Sequence, residues 1–271
     1  MPTRIANGAE LYYEEYGSGP DVVISAQNRI TSGPESYLEL LAAAGTHVFS
    51  IQLRGFGRSS PLTTLPEGGC YPLWAEDVYE FAHGLGVEHF IYTGVSHGAG
   101  VGWNLALMHP HALRAFVAIV GGPHDRSKPR VRGMGLASAP MFVVPTTDPV
   151  RLRRRAAWLQ SSGEQEGATG QLQINPGKVF PELETNEQVA ERLGSISVPT
   201  LLLNGAQDDI IPADMSLLVA RSVPGAKLVL YQDHSHTLAR EAPERVVDEV
   251  ALFLKEIGSP IQGDGQHAPG D

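Results

Sequence analysis

Short apolar runs alternate along this chain with longer stretches of helical period, and this alternation restricts the possible folds more than any other feature. The candidate strands are Glu10–Tyr16, Asp21–Ser25, His47–Leu53, His89–Thr93, Ala115–Val120, Thr200–Asn204 and Lys227–Tyr231. The candidate helices are Tyr37–Ala44, Pro72–Leu85, Ala99–His109, Ala213–Ser222 and Pro243–Ile257. Such alternation is typical of a mostly parallel sheet with helices on both faces. We therefore predict an α/β fold whose first two strands form an antiparallel edge.

Length, charge and cysteine content exclude several classes of protein. A chain of 271 residues with 42% hydrophobic residues fits one large α/β domain, or a core with an insert. The net charge of −10 argues against a nucleic-acid surface. The N-terminal segment has no apolar signal core, and no run is long enough to span a bilayer, so we expect no membrane partner. Cys70 is the only cysteine, which excludes an intramolecular disulfide and favours a cytoplasmic location.

One long stretch interrupts the alternation of strands and helices. Residues 127–195 are rich in arginine, proline and glycine, and we predict that they form a cap insert. The core would then comprise residues 1–126 and 196–258, followed by a disordered tail over residues 259–271. The insert carries four arginines that could attract a substrate carboxylate, although a solvated helix face is the favoured interpretation. These arginines are Arg151, Arg153, Arg154 and Arg155.

The pentapeptide Gly94-Val95-Ser96-His97-Gly98 joins a candidate strand to a candidate helix. A serine at the apex of such a strand–turn–helix unit is typical of a nucleophile elbow, which pushes the hydroxyl out over the end of the sheet. The backbone there is crowded, so only residues with little or no side chain fit two positions before and after the serine. The bare G-x-S-x-G pattern arises easily by chance, and its structural context carries the interpretation.

A serine hydroxyl is a poor nucleophile at neutral pH, so it needs a base, and the base needs an orienting acid. Asp208 lies in the loop after a candidate strand, at the same edge of the predicted sheet as Ser96. Asp209 beside it is an alternative acid, and Asp125, after another strand, is a further one. We choose Asp208 as the acid.

Two histidines after the last candidate strand compete for the role of base. His234 is closer to the end of the strand, and His236 stands directly ahead of the final helix. Either one completes the order Ser, Asp, His that folds of this kind use.

An ester-cleaving serine also needs hydrogen-bond donors for the oxyanion. The first donor should be the backbone N–H of the residue after the nucleophile, which is His97. The second should come from the segment Ala26-Gln27-Asn28 after an early strand, and we place it at Asn28, with Gln27 as the alternative.

Further segments complete a family pattern over nearly the whole chain. They are Asn7–Tyr13, the turn Gly17–Pro20, the loop Arg54–Ser59, the elbow Gly94–Gly98, the loop Gly205–Pro212 and the stretch His236–Glu244. With them the chain resembles the α/β-hydrolase superfamily. The resemblance implies the α/β-hydrolase fold and a triad of Ser96, Asp208 and His236, with the spacing to Pro243 favouring His236 over His234. It implies no metal and no organic cofactor.

The chain departs from the family pattern at two places near the expected oxyanion site. Ala26-Gln27 stand where relatives usually have His-Gly, and Gln52 stands where an aspartate commonly precedes the Arg-Gly-x-Gly loop. Because both positions shape the oxyanion side of the pocket in relatives, we predict a changed polar network near Asn28.

The leading hypothesis is a serine hydrolase that cleaves a carboxylic ester or lactone through an acyl-enzyme. The short insert, with aromatic residues Phe142, Trp158 and Phe180, suggests a small to medium apolar substrate, whereas Trp74 and Trp103 are expected in the core. One alternative keeps the triad for carbon–carbon bond hydrolysis or perhydrolysis, and another is a non-catalytic ligand-binding receptor. A serine elbow disfavours chemistry that needs an aspartate nucleophile. The expected partner is a small molecule, and a homodimer is possible.

Overall fold

One sheet of eight strands organises the part of the chain that the computed structural model describes, residues 2–28, 36–128, 143–168, 176–259 and 261. The side chains of residues 159 and 161–168 are outside that description. The strands are β1 (Thr3–Ala6), β2 (Ala9–Tyr16), β3 (Asp21–Gln27), β4 (Thr46–Gln52), β5 (Phe90–Val95), β6 (Leu113–Ile119), β7 (Thr200–Gly205) and β8 (Lys227–Tyr231). The helices are α1 (Tyr37–Ala43), α2 (Cys70–Gly84), α3 (His97–Met108), α4 (Pro149–Ala168), α5 (Asn186–Leu193), α6 (Ala213–Ser222), α7 (Leu238–Glu241) and α8 (Pro243–Glu256).

The strand order is β1-β2-β4-β3-β5-β6-β7-β8. The pairs from β4–β3 through β7–β8 are parallel, and the pairs β1–β2 and β2–β4 are antiparallel. The predicted α/β architecture is therefore confirmed. Because parallel strands end at the same edge of the sheet, the loops after β3, β5, β6, β7 and β8 all lie at that edge.

The prediction that the first two candidate strands pair with each other is wrong. β2 pairs with β1 on one side and with β4 on the other, while β3 lies between β4 and β5. The connecting turn passes close to the start of β4, since a Cβ added to Gly19 would lie 1.8 Å from the carbonyl oxygen of Gly45. β3 is buried along nearly its whole length, as an interior strand of a parallel sheet must be.

Apolar side chains fill both faces of the sheet. On one face, α2 and α3 bury Trp74, Trp103 and Phe81, whose exposed fraction is 0%. On the other face, α1 and α8 bury Leu38 and Val246, among other residues. The prediction that Trp74 and Trp103 belong to the core is thus confirmed.

The later part of the predicted cap insert contributes to the main core. Val179, Phe180 and Leu193 are buried in the same cluster as the tryptophans of α2 and α3. The side-chain amide of Asn104, on α3, donates to the carbonyl of Val179 at 3.3 Å. Phe180 is therefore a core residue, and Phe142, another aromatic residue of the predicted insert, lies outside the described residues.

Arg151, Arg154 and Arg155 of α4 pair with carboxylates of this protein, a role that neither interpretation made from the sequence included. Arg151 is buried and donates to Glu241 through Nε and Nη2 at 2.9 and 2.6 Å, and to Asp233 through Nη1 at 2.9 Å. Arg155 donates to Glu241 through Nε at 2.5 Å. Arg154 pairs with Glu244, which is half exposed. Three of the four arginines are thus engaged between α4 and the segment from residue 233 to 244.

The described end of the chain is attached to the sheet. The guanidinium of Arg114 donates to Ser259 Oγ at 2.7 Å, and Ile261 packs on the face covered by α8. Residues 260 and 262–271 of the predicted tail lie outside the described residues. Among the residues that are described, no helix has the length and hydropathy that crossing a bilayer requires.

The buried Glu241 carboxylate should contribute strongly to stability. Replacing it in Glu241→Gln removes the charge that compensates the buried guanidinium of Arg151 and the partly buried one of Arg155, and we expect a loss of about 3 kcal/mol in the free energy of unfolding at pH 7. Urea unfolding of the variant and the wild type measures this loss. The matched control is Glu244→Gln. It removes the exposed carboxylate that pairs with Arg154 of α4, and it should cost less than about 1 kcal/mol.

The difference between wild type and Glu241→Gln should shrink in acid. Burial alone would raise the pKa of Glu241, but hydrogen bonds from the two arginines and Thr237 outweigh it, so the pKa lies below its usual 4.5. A carboxyl with a lowered pKa stabilises the fold fully above its unfolded pKa, and that stabilisation is lost as the pH falls through the folded pKa. Urea midpoints measured downwards from pH 5 should therefore converge. A difference that stays constant across this range would contradict the expectation.

Candidate active site

Ser96 occupies a strained turn between the end of β5 and the start of α3. Its backbone angles are φ 54° and ψ −108°, a conformation that L residues rarely adopt. A Cβ added to Gly94 would lie 2.2 Å from the carbonyl carbon of Gly98. One added to Gly98 would lie 2.2 Å from the carbonyl oxygen of Ala26. The prediction that only a residue with little or no side chain fits two positions before and after the serine is confirmed.

The end of β6 supports this turn from the neighbouring strand. The amide of Ser96 donates to the carbonyl of Ile119 at 3.0 Å. The next residue, Val120, has a positive φ of 42°, which is a rare conformation for a β-branched residue, and its amide donates to Leu203 at 2.8 Å. A Cβ added to Gly121 would lie 2.9 Å from the Ser96 carbonyl oxygen. Backbone strain is thus concentrated where β6 passes the elbow.

The structure brings together the serine, histidine and aspartate that the sequence singled out. His236 Nε2 lies 2.9 Å from Ser96 Oγ, and His236 Nδ1 lies 2.9 Å from Asp208 Oδ2. Ser96 follows β5, Asp208 follows β7, and His236 follows β8, so three loops at one edge of the sheet supply the three groups. When His236 donates from Nδ1 to Asp208, its Nε2 can accept the serine proton.

Asp208 is held in one orientation by the backbone of its own loop. Its side chain is completely buried. Oδ1 accepts hydrogen bonds from the amides of Ile210 and Ile211 at 2.8 and 3.0 Å. These amides compensate the buried charge and leave Oδ2 facing the imidazole.

The alternative acids and the alternative base lie elsewhere. Asp209 is exposed. Asp125 accepts hydrogen bonds from Asn186 and Ser127, which hold the pKa of Asp125 below its usual range. His234 is buried with Nδ1 at 2.9 Å from Asp233, and burial lowers the pKa of His234. Within the described contacts, none of these three residues is paired with Ser96.

The two backbone segments expected to supply oxyanion donors meet at the elbow. His97 is the first residue of α3, where the amides of the first turn point out of the helix and the helix dipole favours negative charge. The close approach of the Ala26 carbonyl to Gly98 places the end of β3 directly against this turn. Asn28 is half-buried just beyond β3. The assignment of the two donors to His97 and Asn28 remains a prediction.

The two glutamines that depart from the family pattern have separate local partners. Gln27 Nε2 donates to Ser25 Oγ at 2.7 Å and to Tyr37 Oη at 3.1 Å, which ties the end of β3 to α1. Gln52 Oε1 accepts from the amide of Arg58 at 2.7 Å. Gln27 therefore links β3 to α1, and Gln52 holds the backbone of the loop that follows β4.

Two tyrosines next to the elbow were not predicted from the sequence. Tyr92 Oη donates to the carbonyl of Gly98 at 2.8 Å, and Tyr71 Oη lies 2.8 Å from His97 Nδ1. The ring of Tyr71 also fills the space beside Gly100. Tyr92 lay in an apolar strand pattern, and Tyr71 preceded a helix pattern, so neither carried a signal of its role.

The arrangement has the parts that nucleophilic catalysis requires. A hydroxyl, an imidazole and a buried carboxylate form one chain of contacts, and helix α3 begins directly after Ser96. Over the described ranges, no three His, Cys, Asp or Glu side chains are grouped so that they could hold a metal ion.

Comparisons with known proteins relate the chain to several hydrolases. The model of a family described as the alpha/beta hydrolase fold matches residues 31–161. Bifunctional epoxide hydrolase 2 of Sus scrofa is 32% identical over 145 residues, which are 51% of this chain and 25% of that protein. The chain therefore spans about a quarter of the length of that relative.

Other similarities extend over the whole chain. The putative carbamate hydrolase RutD of Azorhizobium caulinodans is 27% identical over 283 residues, covering 95% of this chain and 99% of that protein. The solved structure of Est816, an N-acyl homoserine lactone degrading enzyme, has a TM-score of 0.73 at 23% identity and covers 93% of this chain and 100% of its own. From the matched family model, the parallel sheet and these similarities, we conclude that the chain has the alpha/beta-hydrolase fold.

Proposed function

We propose that this protein is a serine hydrolase that cleaves a carboxylic ester or lactone of a small to medium apolar substrate through an acyl-enzyme. The observation that carries the proposal is the pair of 2.9 Å contacts that join Ser96 to His236 and His236 to Asp208. These contacts are made on a strained elbow beside a helix N-terminus, where a developing oxyanion would be stabilised.

In the proposed reaction Ser96 Oγ attacks the carbonyl carbon while His236 Nε2 takes the serine proton. Asp208 stabilises the imidazolium and keeps the ring oriented. The amides of His97 and Asn28 donate to the oxyanion. The tetrahedral intermediate then collapses, His236 returns the proton to the leaving alcohol, and water, activated by the same histidine, releases the acid.

The relatives are hydrolases, and the activities of two of them support a substrate with an activated carbonyl. Est816 degrades a lactone, and RutD is described as a putative carbamate hydrolase. The epoxide hydrolases share sequence with half of this chain, but a serine at the elbow disfavours epoxide opening by a carboxylate nucleophile. An ester or lactone is therefore the preferred substrate class.

Removing the nucleophile should abolish turnover. We expect Ser96→Ala to lower kcat for a p-nitrophenyl ester at least about a thousandfold, because catalysis by the acyl-enzyme is lost while binding remains. A fluorophosphonate probe should label wild type once per chain and fail to label the variant. Full turnover by Ser96→Ala would disprove the proposal. Ligand-induced thermal stabilisation of a wild-type protein that is not labelled would favour a receptor instead.

The buried acid should matter far more than its neighbour. We expect Asp208→Asn to lower kcat by about 10⁴, because an amide no longer stabilises the imidazolium or selects the productive tautomer. Asp209→Asn is the matched control, since that side chain is exposed one residue away, and it should leave kcat unchanged. Equal effects of the two substitutions would show that Asp208 is not the orienting acid.

A substrate panel separates the reactions that the same triad supports. We expect measurable kcat/KM for short-chain p-nitrophenyl esters and for lactones, with a maximum at small to medium acyl length. Carbamates, diketone-like compounds and peroxide with an acid donor test hydrolysis of carbamates, carbon–carbon bond hydrolysis and perhydrolysis. A kcat/KM for a diketone above that for every ester and lactone would replace the ester proposal.

A further inference from the structure

The proposed base belongs to a segment that depends on other elements for its position. His236 is followed by Thr237 and then by helix α7, which has only four residues. A helix this short cannot hold itself together, because it forms too few hydrogen bonds to offset the cost of ordering its backbone. Whatever fixes α7 therefore also fixes the direction in which His236 approaches Ser96.

One carboxylate connects α7 to the residue next to the base. Glu241 Oε1 accepts a hydrogen bond from Thr237 Oγ1 at 2.7 Å, and the amide of Glu241 donates to the carbonyl of Thr237 at 3.0 Å. These two contacts close the turn that begins immediately after His236. The Glu241 side chain is 1% exposed, so water does not compete for these positions.

The same carboxylate is held from the opposite side by α4. Arg155 Nε donates at 2.5 Å to Oε1, the oxygen that Thr237 also uses, and both Nε and Nη2 of Arg151 donate to Oε2. Arg151 further donates to the carbonyl of Asp233, three residues before the base, at 2.8 Å. The arginines of α4 thus contact the chain on both sides of His236.

We propose that Glu241 is a positioning residue for His236, and that its contacts with Arg151 and Arg155 couple the placement of helix α4 to that of the base. The inference rests on the proposed function, in which His236 takes the proton of Ser96. Glu241 acts through Thr237 and α7, and it contacts neither the serine nor the imidazole among the described contacts. Because α4 lies in the predicted cap insert, the segment expected to cover the substrate would be linked mechanically to the base.

The sharpest test removes the link without disturbing the buried ion pairs. Thr237→Val keeps the shape of the side chain and leaves the two arginines on Glu241, but it removes the hydroxyl that contacts Oε1. Thr237→Ser is the rescue variant because it keeps the hydroxyl. Glu244→Gln is the matched control, since Glu244 pairs with Arg154 of the same helix at an exposed position.

Fluorophosphonate labelling of Ser96 supplies two separate readouts. The final extent of labelling counts the folded, competent sites, and the second-order rate constant reports how well the base activates the serine at those sites. We expect Thr237→Val to lower the rate constant about tenfold at an unchanged extent, because small displacements of a catalytic group reduce rates strongly. Thr237→Ser and Glu244→Gln should stay within about twofold of wild type.

A second experiment tests the coupling to α4. Arg155→Lys keeps the charge but loses the fork that contacts Glu241, and it should lower the rate constant about threefold in the wild-type background. In the Thr237→Val background it should have almost no further effect, because the connection to the base is already broken.

The outcomes distinguish the inference from the proposed function. An unlabelled wild type would overturn the proposed function and the inference with it. A labelled wild type with unchanged rates in Thr237→Val, or equal losses in Thr237→Val and Thr237→Ser, would overturn the inference alone. So would a loss confined to the extent of labelling, which indicates a purely structural role, or additive effects of Arg155→Lys and Thr237→Val.

Discussion

The contact of backbone against backbone at the elbow is the constraint on which the site depends. Gly98 approaches the carbonyl of Ala26, and Gly94 approaches Gly98, more closely than any side chain would allow. This crowding holds the ends of β3 and β5 and the start of α3 together. It also maintains the rare backbone conformation of Ser96, because the surrounding strands leave no room for the turn to relax. Ser96, the first amides of α3 and the end of β3 are therefore placed by one packing arrangement.

The remaining two groups are positioned by a similar contact between neighbouring loops. A Cβ added to Gly205, at the end of β7, would lie 2.3 Å from the carbonyl oxygen of His234, in the loop after β8. The amide of Gln207 donates to the same carbonyl at 3.0 Å. The loop that carries Asp208 is thus attached through its backbone to the loop that carries His236. The spacing of the two backbone segments that carry Asp208 and His236 therefore follows from the pairing of two adjacent parallel strands.

Much of this arrangement could be predicted from sequence because its signals are local. Buried parallel strands concentrate apolar and β-branched residues, and the predicted ends of these strands lie within a few residues of the observed ends. The exception is β1, a four-residue strand that is mostly accessible and lacks a strong apolar alternation. Strand order is a matter of non-local pairing, so the place of β3 between β4 and β5 was not visible in the neighbouring sequence. The sequence also indicated the elbow around Ser96, with Gly94 and Gly98, and the loops that carry Asp208 and His236. A tight turn and the loops at the carboxyl edge of a parallel sheet require particular residue types.

The arginines of α4 show where local patterns stop being informative. A run of arginines shows that a segment is positively charged, but it does not show which carboxylates pair with it. Glu241, the partner of Arg151, lies 90 positions further along the chain. An apolar contact between α4 and α7 would stabilise the fold without fixing its geometry, whereas a planar guanidinium matches a carboxylate in few orientations. Burying these charges is costly unless every donor and acceptor is satisfied. Such an ion-pair cluster is therefore useful beside the proposed base, because it fixes the orientation of the short helix α7 as well as its distance from α4.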